Sequence, residues 1–183
     1  MARRIAYTGE PVLSLDEVAR QCRLDAEDMQ AALIEQVIIP GITQQAEALA
    51  GAAVREAEYQ EHWPASYASG RVLEIGQVKA IVSVCQVQAD GSEQPLNVAT
   101  RLVHSAKETR LLFPAGRPAG ELSIRYLAGT DLDRHPGVRS WLLMHAATAY
   151  EHRETVVTGQ TLAKLPGTFL DSLLSEITLP ARF

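Results

Sequence analysis

The spacing of apolar residues changes twice along this 183-residue chain, and those two changes limit the fold more than any single motif does. Early on, Met29, Leu33 and Val37, then Ile42, Ala46 and Leu49, recur at about helical spacing. From Arg55 the period falls to two. Arg55, Ala57, Tyr59, Glu61 and Trp63 alternate with Glu56, Glu58, Gln60 and His62, as successive residues of a strand do. After Pro136 the helical period returns, with Val138, Trp141, Leu142, His145, Ala149 and His152 on one face. This order predicts an α+β fold. N- and C-terminal helices (12–51 and 136–179) form a small bundle, an antiparallel β-rich module is inserted at 53–128, and 180–183 is a tail. One domain of this length buries roughly 70% of its unfolded surface and needs no covalent staple.

Local signals sharpen the boundaries. Ser14 followed by Glu17 is a capping box and predicts a short helix to about Arg23. Asp25 is expected to cap a second helix, with Glu27 and Asp28 near its positive end. Pro40-Gly41 is expected to kink or break that helix, and Gly51 to end it. The run at 78–87 is rich in β-branched residues, and Asp90-Gly91 predicts a hairpin returning through 93–99, with Pro95 marking an edge or a bulge. Residues 110–113 and 121–127 read as further strands around a Pro/Gly-rich loop. Pro136 suits the first turn of a helix. A linker at 155–165 then leads to a short helix carrying Phe169, Leu170, Leu173, Leu174 and Ile177, which ends at Leu179-Pro180.

Composition narrows the function. Net charge is −5, and no Lys/Arg run extends beyond Arg3-Arg4, so tight sequence-independent binding of nucleic acid is not expected, although folding can still gather a local basic patch. No apolar run follows Arg3-Arg4 and none approaches the length of a membrane span, so neither a secretory signal nor a membrane role is expected. Cys22 and Cys85 are expected to be reduced thiols. His145 and His152 lie seven apart, which is not the spacing that puts two imidazoles on one metal ion, so packing is expected. Asp131 and Asp133 are expected to cap the helix opened by Pro136. No Gly-rich phosphate loop and no nucleophile elbow is present. The expectation is therefore no catalytic residue, no cofactor and no metal.

The order of features resembles the bacteriophage head–tail connector proteins, the small adaptors beneath the portal. Val12-Leu-Ser-Leu-Asp-Glu-Val18 resembles the family's opening capped helix, and Leu24-Asp25-Ala-Glu-Asp28 the start of its second helix. Ala89-Asp-Gly-Ser-Glu-Gln-Pro-Leu96 resembles the inserted β module, and Leu122-Ser-Ile-Arg-Tyr-Leu-Ala-Gly129 the strand leading into a helix. Tyr150-Glu-His-Arg-Glu154, Leu165-Pro166 and Arg182-Phe183 resemble the closing helix and tail. Pro40-Gly41 departs from a helix that is usually continuous in the family.

The resemblance implies a structural, non-enzymatic protein of the virion's head–tail junction, made in the bacterial host cytoplasm. Implied partners are the portal protein, a downstream head-completion or tail protein, and further copies in a ring, commonly a dodecamer. DNA would pass through without specific binding, which suits an acidic chain. The C-terminal set Phe169, Leu170, Leu173, Leu174, Ile177, Leu179, Arg182 and Phe183 is either core or a partner-docking element. Two other readings compete. A small-molecule-binding protein or enzyme predicts a deep pocket with convergent polar groups. A helix-turn-helix at 15–33 would bind DNA, but its second helix starts acidic where it would approach phosphate.

Overall fold

The capping box at Ser14 is formed. The Ser14 hydroxyl accepts from the Glu17 backbone N–H at 3.3 Å, and the Glu17 carboxylate accepts from the Ser14 N–H at 2.8 Å. It opens helix α1 (Leu15–Cys22), which ends where Arg23 turns left-handed at φ 54°. The computed structural model describes residues 2–25, 27–152 and 167–180, so the whole of the predicted linker at 155–165 and the tail beyond Pro180 lie outside it. Mixed α and β structure is present as predicted. The chain divides into two units. One is helical (Pro11–Ala50 and Asp131–Glu176). The other is built on sheets from the described residues of Met1–Glu10, Gly51–Thr130 and Ile177–Phe183.

In the helical unit the second helix starts later than Asp25 predicts. Asp25 instead closes a turn, accepting from the Asp28 N–H at 3.0 Å. Helix α2 (Ala31–Leu33) then runs through a π-helical stretch (Ile34–Ile38) into α3 (Ile39–Ala50). Pro40 therefore does not break the helix. It has no N–H to donate and its ring crowds the carbonyl four residues back. The preceding turn widens instead, with the Ile39 N–H bonded to the Ile34 carbonyl. The extra residue shifts the buried face to Ile34, Ile38, Ile39, Ile42, Ala46 and Ala50. Val37 and Leu49, expected on that face, are 60% and 55% exposed. Gly51, at φ +65°, ends α3.

Helix α4 (Pro136–Glu151) starts on Pro136 as predicted and packs against α1, the π-helical stretch, α3 and α5 (Gly167–Leu174). It buries Val138, Trp141, Leu142, Ala146 and Tyr150. Fully burying an aliphatic side chain of this kind contributes about 1.5–3 kcal/mol. Gly137 allows α5 to come close, since a Cβ there would lie 2.9 Å from the Leu173 carbonyl oxygen. Asp131 bonds the Asp133 N–H at 3.1 Å and so caps the turn before α4. The helix's own N-cap, His135, makes no side-chain cap.

Among the described residues the sheet unit has eight strands: β1 (Arg3–Tyr7), β2 (Ala57–Trp63), β3 (Arg71–Val72), β4 (Val78–Val87), β5 (Glu93–Pro95), β6 (Arg101–His104), β7 (Thr109–Leu112) and β8 (Glu121–Ala128). They form two sheets, ordered β1-β2-β8-β4-β5 and β3-β7-β6, with every pairing antiparallel. The predicted alternation in β2 is what folds. Ala57, Tyr59, Glu61 and Trp63 point into the core, opposite Ala128, Tyr126, Ile124 and Leu122 of β8. Trp63 meets Phe113 edge-on at 6.2 Å, and Leu73, Leu111 and Val84 pack in the same cluster. The β4–β5 turn is set by Gly91 at φ +82° and by Asp90, which accepts from the Ser92 N–H at 2.9 Å. The return strand ends at Pro95, well short of 99.

Candidate interaction surfaces

The C-terminal residues singled out from sequence do not share one environment. Leu174 and Ile177 are buried, at 3% and 0% exposure, while Leu170, Leu173 and Leu179 are half-buried. Leu179 lies on two glycines of its own unit: its methyls sit 3.5 Å from a Cβ placed on Gly51 and 3.2 Å from one placed on Gly76. Phe169, 51% exposed, is the one large apolar side chain of this set open to solvent among the described residues. Arg182 and Phe183 lie outside the described residues.

Of the two histidines expected to pack, only His145 does so. His145 stacks on Trp141, with ring centroids 3.6 Å apart, and its Nδ1 donates to the Trp141 carbonyl at 2.9 Å. His152 is exposed beyond the end of α4. Among the described residues no group of three or more His, Cys, Asp or Glu could hold a metal ion. Cys22 and Cys85 are free thiols, and burial, reinforced by the charge of Glu151, raises the Cys22 pKa.

Sequence reasoning counted Glu61 only as part of the alternation. It is fully buried, with its carboxylate at the centre of a three-donor network. Trp63 Nε1–H donates to one oxygen at 2.8 Å. The Glu74 backbone N–H and the Tyr126 hydroxyl donate to the other at 3.0 and 3.1 Å. Burial raises the Glu61 pKa against the pull of these donors, and the nearby Glu74 charge adds to the rise. Burial and the Glu61 charge raise the Tyr126 pKa as well. A carboxylate this enclosed orders the core, and a substrate cannot reach it.

Charge is divided unevenly between the two units. The segments assigned to the sheet unit carry eleven Lys and Arg against nine Asp and Glu. Those of the helical unit carry six against thirteen. Within the sheet unit, β3, β6, β7 and the 105–108 turn hold Arg71, Arg101, Lys107 and Arg110, all exposed, with Glu108 as the one carboxylate. The Arg71 guanidinium lies 3.4 Å from the centre of the Tyr67 ring, and Arg110 donates to the Gly70 carbonyl at 3.3 Å. Ser66, Tyr67, Ser69, Arg71, Glu108 and Arg110 line an open cleft there of about 680 Å³. A second open groove, on the helical unit, is lined by Asp16, Arg20, Leu24 and Met29.

These features define an α+β protein with an uneven division of charge and two open grooves among its described residues. The same fold occurs in solved gene transfer agent (GTA) particles. A chain in the virion of a native GTA particle matches with a TM-score of 0.75 at 19% identity, covering 100% of this chain and 97% of that one. A chain in the neck of an empty GTA particle, computed with C6 symmetry, matches at 0.75 and 16% with the same coverage. A chain in the neck of a native GTA particle, computed with C12 symmetry, matches at 0.68 and 18%. At these identities the likeness establishes the fold. No protein-family model and no curated protein matches the sequence.

Proposed function

We propose that this chain is a structural, non-enzymatic component of a head–tail junction, an adaptor that assembles as a ring on the portal, extends the DNA channel and joins head to tail. The observation that carries this reading is the fold match over the whole chain to chains in particles described as virion and neck, two of them computed with C6 and C12 symmetry. A ring built from one chain needs head-to-tail contacts that close by rotation, and unlike surfaces on one subunit supply them. The charge division between the two units gives such unlike surfaces. Its place would be the virion's head–tail junction after synthesis in the bacterial host cytoplasm, and its partners the portal, the next head-completion or tail protein, and further copies of itself in a dodecameric ring.

Docking on the portal is assigned to Phe169 and to the last residues, Arg182 and Phe183. Leu174, Ile177 and Leu179 serve the protein's own packing first. The test is negative-stain electron microscopy of the protein mixed with its cognate portal protein. A ring layered on the portal is the expected result. No association at high concentration would overturn the proposal.

A further inference from the structure

The cations of the β3-β7-β6 sheet stand against the acidic character of this chain. Arg71, Arg101, Lys107 and Arg110 are all exposed, and Glu108 alone opposes them. Two ion pairs of the same unit lie off this sheet, Lys79 with Glu56 at 2.7 Å and Arg125 with Glu58 at 2.8 Å. We infer that this sheet binds the sugar–phosphate backbone of duplex nucleic acid without reading its sequence. The inference rests on the channel reading only for where the protein would meet a duplex.

Three observations select a polyanion over a protein partner. First, the charges sit on three adjacent strands and a turn. Strands lie about 4.8 Å apart, so the cations spread over about 10 Å, while each strand of a duplex carries a phosphate every ~3.4 Å of axis. Several phosphates can therefore be met at once. Second, three of the four are arginines, whose forked donors match phosphate oxygens. Stacking on Tyr67 holds one fork in place without using its edge donors. Third, protein interfaces are anchored by large apolar side chains. The exposed ones among the described residues are Ile5, Val37, Leu49, Val82 and Phe169, and none lies on this sheet.

Contact of this kind is labile. Four phosphate contacts give a slope of log K against log salt of about −3.6, so affinity falls about a hundredfold between 50 and 200 mM salt. A duplex held this way stays in register with the protein only briefly and remains free to slide.

The experiment is fluorescence anisotropy of a labelled duplex titrated with the full chain at several salt concentrations. The wild type is expected to bind at low salt with that slope. R101A and K107A are each expected to lower the slope by about one and the affinity several-fold. Replacing all four cations by alanine should remove binding, whereas R20A and R134A, exposed arginines of the helical unit, should leave it unchanged. No binding at the lowest salt, or equal losses from R134A and R101A, overturns the inference. So does binding of polyglutamate with no binding of duplex, which would make the sheet a dock for an acidic protein. The single variants keep the test decisive should the fourfold variant misfold. Imaging the same preparation with the portal separates the two proposals: a ring that ignores duplex defeats this inference alone, and duplex binding without portal association defeats the adaptor reading alone.

Discussion

Glycine does opposite work at Gly129 and Gly41. A Cβ on Gly129 would sit 2.7 Å from the Glu56 Cα and 2.9 Å from its Cβ, where two backbone segments touch at the start of β2. Gly129→Ala is therefore expected to cost ~2–3 kcal/mol through overpacking, read as a lower urea midpoint. Gly41 is exposed inside α3 with nothing within 4 Å of its added Cβ. Gly41→Ala should stabilise by about 0.5–1 kcal/mol in the same assay. Glu61 gives a pH signature. Its folded pKa is raised, so between its unfolded value and its folded value the native state holds the extra proton. The stability it contributes is full below the unfolded pKa and is lost as pH rises through the folded one. Once protonated, the carboxyl can donate to the Tyr126 oxygen, because a hydroxyl is the one partner in the network able to reverse its role. Denaturation midpoints from pH 4 to 8 should fall with rising pH in the wild type and flatten in Glu61→Gln; an unchanged slope would exclude Glu61 as its source.

At the level of elements, Ser14→Ala should cost about 1 kcal/mol by removing the cap of α1. The same box holds Glu17 below the usual carboxylate range, chiefly through the Ser14 N–H, with Arg139 of α4 as a further charge partner. Its contribution is therefore lost as pH falls through that depressed pKa, and the acid limb of the wild-type stability curve should flatten in Glu17→Gln and shallow only slightly in Ser14→Ala, which keeps the N–H and loses the hydroxyl. Signals of this sort were legible in the sequence because they are local: the cap at Ser14, the Asp90-Gly91 turn, Pro136 at a helix start, Gly51 at a helix end and the alternation of β2. Features set by distant partners were not. Arg3–Tyr7 is almost wholly exposed and shows no alternation of its own; pairing with β2 makes it a strand. Strand β6 was missed for the same reason, since it exists through its ladder with β7. The π-helical stretch misled the reading of the long helix in a different way. One added residue rotates everything after it, so a stripe drawn at constant spacing put Val37 and Leu49 inside.

For the whole molecule, the candidate surfaces were only half legible. The sequence picked out the C-terminal apolar residues but could not tell Phe169, left outside, from Ile177, taken into the fold. Read as one short helix, both fall at helical spacing, whereas α5 ends at Leu174 and Ile177 lies beyond it. The basic sheet was invisible in composition because Arg71 is thirty residues from Arg101, and the acidic helical segments mask both in the total. Truncation separates packing from docking. Ending the chain after Glu176 removes Ile177 and Leu179 and should cost ~2–4 kcal/mol, read by chemical denaturation. Ending it after Pro180 should leave stability unchanged, and the adaptor proposal further requires that portal binding be lost. A full loss of stability in the second truncation would show that the last three residues are core.

The chain leaves the sheet unit after residue 10, returns at 51, leaves again after 130 and returns once more at 177. On the ribosome this has a cost in time. Strand β1 is made first and must wait for β2, some fifty residues later, and the apolar seat over Gly51 and Gly76 stays open until Leu179 leaves the exit tunnel. Neither unit can close before its last segment, beginning at Asp131 in the helical unit and at Ile177 in the sheet unit, has been made.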